Sequence, residues 1–442
     1  MAQDTEAVST AVGLRNQWLP FTPNRDFAED PRLFTGAKGI YFFGPEGQKI
    51  LDGTSALYTT PAGHGRQAIA DAVYEQIQTL DYTSSFLRSH PGSIAACEEI
   101  VRLLPEGLDR IFLTNSGSEA VDTALKIVLQ YWRAIKQGSR TIFVSREKAY
   151  HGSNLTGVAL SGIPANRRDF GLPLLPVVHM RHTWLESNRF HPGQGIHGFE
   201  LADDLQRLIN LHGAENIAAC VVEPITGSTG AIVPPVGYLE RLRQICDDYN
   251  VLLIFDEVIC GFGRTGSAFA SQSFGVKPDL IVFAKAVTNG VIPMGGVAVS
   301  SEICNAILEA EPKRSVEFFH GYTASAHPVA CAACLATLKI FREESLFEAA
   351  AALSPYFLDR LFKLQRLKAV TDIRGYGMMA GIDFDPTIIG MDGYRLQKRL
   401  YDRGLHLKAT GNTLNVCPPF VCTHSDIDSI IGILEEVLTV QG

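Results

Sequence analysis

Val251-Leu252-Leu253-Ile254-Phe255-Asp256-Glu257 and Leu280-Ile281-Val282-Phe283-Ala284-Lys285 are two unbroken apolar runs, the first ending in acids and the second in an amine. Continuous apolarity, in place of alternation, reads as a strand covered on both faces, as in a parallel sheet packed between helices. Working outward, Ile111–Leu113, Thr141–Val144 and Ile217–Val222 read as further short buried strands. Gln67–Thr79, Ser93–Leu104, Val121–Arg133 and Tyr238–Tyr249 read as helices among them. Strand–helix alternation on this scale predicts an α/β fold with a mostly parallel sheet flanked by helices. Near residues 38–51 a small hairpin is expected: Gly39–Phe43, a turn at Gly44-Pro45-Glu46-Gly47, then Lys49–Leu51. Beyond about residue 330 an alanine-rich helix, Ala330–Phe341, gives way to helices and short strands ending near Leu438. The expected division is a large domain, 61–330, and a smaller α+β domain built from 1–60 and 331–442.

Composition narrows the class. A chain of 442 residues is too long for one simple core, and 46% hydrophobic with 19% charged residues describes a packed globular protein. The net charge of −8 argues against a nucleic-acid partner. No apolar run approaches the roughly 20 residues of a membrane helix. The polar, acidic start Met1-Ala2-Gln3-Asp4-Thr5-Glu6 fits neither a secretory signal nor a transit peptide, so a cytoplasmic location is expected. The nine cysteines lie mostly in apolar or helical stretches, as reduced thiols do. Cys331 and Cys334 have redox-motif spacing, but no second pair follows; one face of a buried helix is expected there, and no metal site.

Ligands of parallel sheets collect beyond the carboxyl ends of the strands. A lysine delivered there from an apolar strand is partly desolvated, which lowers its pKa from about 10.4 towards that of a free, nucleophilic amine. A carboxylate nearby can stabilise a cation on whatever that amine binds. Lys285 with Asp256 therefore suits pyridoxal phosphate, which needs a Schiff-base lysine and an acid against its ring nitrogen. Alone, each strand end is more simply a snorkelling lysine or a helix-capping aspartate. Three further strand ends shift the balance. Ser116-Gly117-Ser118 opens a helix as a capping box with Glu119, and equally as an anion site whose glycine lets backbone approach closely. Tyr150-His151-Gly152 offers a ring to stack on a flat cofactor, and Glu223 follows another buried strand. Against this stands Gly261-Phe262-Gly263-Arg264-Thr265-Gly266, a GxGxxG match that suggests an NAD(P)-dependent oxidoreductase. No helix opens at Gly266 and no acid ends the next strand, so a flexible loop near the site is expected instead.

These residues resemble the class III (subgroup II) aminotransferases of the fold type I pyridoxal-phosphate enzymes, in particular the ω-amino acid (β-alanine):pyruvate aminotransferases. The resemblance is carried by Phe112–Lys126, Ile254–Gly266, Ala284–Gly295 and His320–Pro328, with weaker similarity from about Trp18 to the C-terminus. It implies that Lys285 carries the cofactor and shuttles the proton, and that Asp256 partners the pyridinium. Val258 and Tyr150 would pack on opposite faces of the ring. Gly117 and Ser118 would hold the phosphate, joined by Thr323 of a neighbouring subunit, which implies a homodimer or a dimer of dimers. Tyr58 and Phe86 fall where the family has pocket aromatics, with Phe86 contributed across the interface. Lys408 stands where the family has its carboxylate-binding arginine and lacks the bidentate fork. Arg88 replaces uncharged side chains, as an anion contact or as a solvated surface residue. The resemblance implies a ping-pong ω-transaminase moving nitrogen from an ω-amino acid or primary amine to a keto acid such as pyruvate. An aminomutase, decarboxylase or epimerase would share the same cofactor apparatus.

Overall fold

Leu252–Asp256 and Leu280–Ala284 lie side by side near the middle of a seven-stranded sheet, and every residue in both is buried. The structure, a computed structural model, describes residues 16–170 and 175–439; the polar start Met1–Glu6 lies outside them. Across the sheet the strands run Leu108–Thr114, Gly295–Ser300, Leu280–Ala284, Leu252–Asp256, Ile217–Val222, Ile142–Arg146 and Val177–Met180. The alternate residues of each central strand serve different cores, which explains their unbroken apolarity. Val221, Ile254 and Val282 pack with Ala120, Val121, Ala124 and Val128 of the helix Gly117–Ala134 on one face. Cys220, Leu253, Phe255, Ile281 and Phe283 face the other way, in one core with Leu239, Leu242 and Ile245 of the helix Tyr238–Asp248. Each such Leu, Ile or Phe contributes about 1.5–3 kcal/mol by burial.

The parallel register pairs Asp256 with Val282 and Phe255 with Val222, so Asp256, Glu223 and Lys285 all emerge at one edge. Gly295–Ser300, which the apolar pattern did not reveal, is the one antiparallel strand, inserted between Leu108–Thr114 and Leu280–Ala284. Its two glycines are required by crowding: a Cβ on Gly296 would stand 2.4 Å from the Phe283 ring, and one on Gly295 would stand 2.6 Å from the Ser116 carbonyl oxygen. The edge strand Val177–Met180 was also unanticipated.

The expected hairpin forms from Tyr41–Phe43 and Lys49–Asp52, with Gly36–Lys38 added outside it. Lys49–Asp52 also pairs in parallel with Leu405–His406, opposing Asp52 to His406. A third sheet, wholly antiparallel, orders Val370–Tyr376, Met379–Phe384, Thr413–Val416 and Lys408–Thr410, with Lys408 opposite Asn415. The helix Pro328–Glu343 buries both Cys331 and Cys334. Among the described residues no helix is long and apolar enough to cross a membrane.

Candidate active site

Lys285 leaves its strand with φ +53°, a left-handed conformation that costs free energy in a residue with a Cβ and that clusters at functional sites. Its side chain keeps some exposure to the cleft, but the amine itself is ringed by protein. Desolvation lowers its pKa from 10.5 to about 8, assisted by the like charge of Lys408 and opposed by Asp256 and Glu223. Asp256 is buried, and its carboxylate is fixed from two sides. Oδ1 accepts from the Val258 N–H at 3.1 Å, and Oδ2 lies 2.8 Å from His151 Nδ1, which donates to it. Each oxygen keeps a free lone pair for another donor. Nε2 of His151 is buried and has no partner among the described residues. Glu223 is buried too; its oxygens accept from the Tyr150 N–H at 3.0 Å and the Gly227 N–H at 2.8 Å, and burial raises its pKa.

The serine-rich turn caps its helix in half of the expected box. Ser116 Oγ accepts from the Glu119 N–H at 3.1 Å, but the Glu119 carboxylate reaches the Asn115 backbone N–H at 2.8 Å instead of that of Ser116. The reason is that Asn115 also offers its side-chain amide at 2.9 Å. Ser118 Oγ accepts from the Ser153 N–H at 3.1 Å, beside first-turn N–H groups that no helical carbonyl reaches. A Cβ on Gly152, which has φ +104°, would lie 2.6 Å from Ser118 Oγ. One on Gly117 would stand 3.0 and 3.1 Å from the methyls of Val258. The turn therefore provides an anion cradle that side chains at these positions would fill. With Asp256 and the Lys285 amine at the same sheet edge, the site offers the anion cradle, acid and amine that pyridoxal phosphate would require.

On the far side of the amine, Tyr58 is buried with its ring centroid 6.0 Å from Lys285 Nζ and 5.6 Å from Lys408 Nζ. Burial lowers the pKa of Lys408, and Cys417 and Glu223 act against that shift. Phe86, Arg88 and Thr323 stand apart from this group. Phe86 and Thr323 are exposed together: a Cβ on Gly321 would touch the Phe86 ring at 2.9 Å, and Tyr82 donates to the Thr323 carbonyl at 2.8 Å. Arg88 is exposed and has no ion pair among the described residues.

The loop at 261–266 corrects an expectation. It is buried, not flexible: Arg264 is fully enclosed and donates to the carbonyls of Cys417 at 3.2 Å and Pro418 at 2.8 Å, with its guanidinium 4.9 Å from the Phe420 ring centroid. The glycines make room for this clasp; a Cβ on Gly263 would meet Phe347 and Phe420 at 2.6 Å. Sequence reasoning missed the pair Asp52–His64, the clasp that Arg264 makes and the close approach of Gly152 to Ser118.

The sheet, the lysine at its edge and the acid beside it define a pyridoxal-phosphate enzyme of fold type I. The chain belongs to the class III aminotransferases, whose family pattern (Aminotransferase class-III) matches residues 25–438. It is 45% identical to an omega-aminotransferase of Caulobacter vibrioides over 95% of this chain and 96% of the other. It is 43% identical to an omega-amino acid–pyruvate aminotransferase of Pseudomonas putida, covering 98% and 97% of the two chains. The crystal structure of a thermostable (S)-enantioselective omega-transaminase from Thermomicrobium roseum superposes with a TM-score of 0.90 at 32% identity, covering 97% of both. The protein is accordingly a pyridoxal-phosphate-dependent transaminase, and the oxidoreductase alternative falls.

Proposed function

We propose that this transaminase moves an amino group from an ω-amino acid or a primary amine to a keto acid, chiefly pyruvate, in two half-reactions of a ping-pong cycle. Two relatives named for ω-amino acids or β-alanine with pyruvate, at 43% and 44% identity, support that substrate class. The observation that carries the chemistry is a lysine amine brought to a pKa of about 8 at the same sheet edge as a fixed, buried carboxylate.

Pyridoxal phosphate supplies a carbonyl that combines with amines and a ring that absorbs the electrons left when a C–H bond ionises. Lys285 would hold the cofactor, and its Nζ would take the donor's proton and return it; its lowered pKa keeps a useful fraction unprotonated near neutrality. Asp256 would accept from the protonated ring nitrogen, while His151 and the Val258 N–H fix its orientation. Gly117 and Ser118 hold the phosphate, and Ser116 orders that helix end. Val258 and Tyr150 would pack against the ring, with the Tyr150 backbone anchored by Glu223. Tyr58 and Lys408 form the substrate side, Lys408 pairing with a carboxylate as a point charge. Phe86 and Thr323, exposed on one protomer, complete a partner's site in a homodimer or a dimer of dimers, and Arg88 beside them meets a distal anion. The chain divides into 61–330 and the joined segments 1–60 and 331–442, and the enzyme works in the cytoplasm.

The absorbance of the holoenzyme tests this reading. β-Alanine or a simple amine should bleach the yellow band, and pyruvate should restore it. A yellow protein that ignores such donors would refute the substrate class. A protein that takes up no cofactor would refute the assignment of Lys285 and Asp256.

A further inference from the structure

Thr54-Ser55-Ala56-Leu57-Tyr58 adopts a shape that its own residues oppose. Ser55, Ala56 and Tyr58 have φ of 46°, 58° and 63°, and none is glycine. Ala56, with φ 58° and ψ −89°, lies close to the rare and strained γ-turn geometry. Such conformations persist only where the surroundings over-determine them.

Asp52 supplies the buried part of that constraint within its own segment. It is the last residue of the strand Lys49–Asp52 and is completely buried. Its Oδ1 accepts from the Thr54 N–H at 3.1 Å, and its Oδ2 accepts from the Ala56 N–H at 2.7 Å. His64 Nε2 stands 2.8 Å from the same Oδ2. From the C-terminal segment, the Cys417 carbonyl accepts from Ser55 Oγ at 2.8 Å and the Asn415 carbonyl accepts from Thr54 Oγ1 at 3.1 Å. A buried carboxylate is a poor way to stabilise a fold in general, because desolvation offsets its interactions. One that accepts from two N–H groups of a strained turn, those of Thr54 and Ala56, fixes a shape. The residue delivered by this shape is Tyr58, whose ring lies under the amines of Lys285 and Lys408.

We propose that Asp52, with His64 behind it, is a positioning residue that acts through the turn 54–58 to hold the Tyr58 ring against Lys285 and Lys408, and thereby sets the shape of the substrate pocket. The proposal rests on the reading of Tyr58 as a pocket wall.

The test is a double-mutant cycle on the holoenzyme with saturating cofactor, following kcat and KM for β-alanine and pyruvate. Asparagine offers one acceptor where aspartate offers two, so Asp52→Asn cannot hold both N–H groups. Its kcat/KM should fall about tenfold, the cost of one charge-assisted hydrogen bond to a buried donor, and through KM more than kcat. In a Tyr58→Ala background the same change should cost nothing further, because its route of action is gone. His64→Gln, a milder change for a protein that folds poorly without Asp52, should give a smaller loss that is likewise absent with Tyr58→Ala. Adding Ala56→Gly, which removes the penalty of positive φ, should restore much of the Asp52→Asn loss. Unchanged kinetics in both Asp52→Asn and His64→Gln, losses that add to that of Tyr58→Ala, or no rescue by Ala56→Gly would overturn the proposal. A Tyr58→Ala enzyme that transaminates normally would instead refute the reading of Tyr58 as a pocket wall, and the proposal with it.

Discussion

Keeping an amine in a dry cleft has a thermodynamic cost that can be measured without any turnover. In the folded protein Lys285 has a pKa of about 8, against 10.5 for the unperturbed group. Between these values the unfolded chain binds more protons than the folded one, so the lysine's contribution to stability rises with pH across that interval and is lowest below pH 8. That difference in pKa corresponds to about 3 kcal/mol at neutral pH. Lys285→Met removes the titration and keeps an unbranched side chain in the same place. Urea unfolding of the cofactor-free proteins at several pH values reads the difference directly. The stability of Lys285→Met minus that of the parent should shrink by about 3 kcal/mol from pH 7 to above pH 10. Any packing gain or loss from the methionine shifts the whole difference and leaves its slope alone. A difference that is flat with pH would refute the idea that the cleft desolvates this amine.

Asp256→Asn should fold and bind cofactor yet lose about 100- to 1000-fold in kcat, because the preorganised charge at the ring nitrogen is gone; near-normal turnover would reject its role. Gly152→Ala combines strained φ with a 2.6 Å clash against Ser118 Oγ, so cofactor affinity should fall, read as a raised Kd in a fluorescence titration. An unchanged Kd would remove Ser118 from the phosphate site. Lys408→Met should raise KM for carboxylate-bearing substrates by about tenfold or more and spare a donor amine that has no carboxylate. An equal effect on both donor types would mean that Lys408 acts through Lys285 instead.

The features legible in the sequence are those set by short-range pattern. Five of the seven strands of this sheet announce themselves as short apolar runs, most clearly the inner ones covered on both faces, and the polar residues that end three of them are Asp256, Glu223 and Lys285. Gly295–Ser300 is silent because its glycines answer to the bulk of Phe283 and the Ser116 carbonyl, neighbours distant in sequence. Arg264 was misplaced for the same reason. Its acceptors lie 153 and 154 residues away, and glycines around a buried clasp look like glycines in a mobile loop. Asp52 looks like any strand-end acid until the turn it holds is seen. Phe86, Thr323 and Arg88 came from resemblance alone, since an exposed aromatic and an exposed threonine have no pattern of their own.

The hydrogen bond from Thr54 to Asn415 spans 361 residues, and that from Ser55 to Cys417 spans 362. During synthesis on the ribosome, the strand ending at Asp52 emerges long before its partners from the C-terminal segment. Its parallel partner Leu405–His406 and the acceptors at 415 and 417 follow only after every strand of the seven-stranded sheet has been made. Closing so long a loop is slow and entropically costly. The central sheet holding Lys285 and Asp256 can therefore form while the wall carrying Tyr58 is still incomplete. For that interval the nascent chain has an open cleft, and its maturation as a catalyst waits on the arrival of residues 405–417.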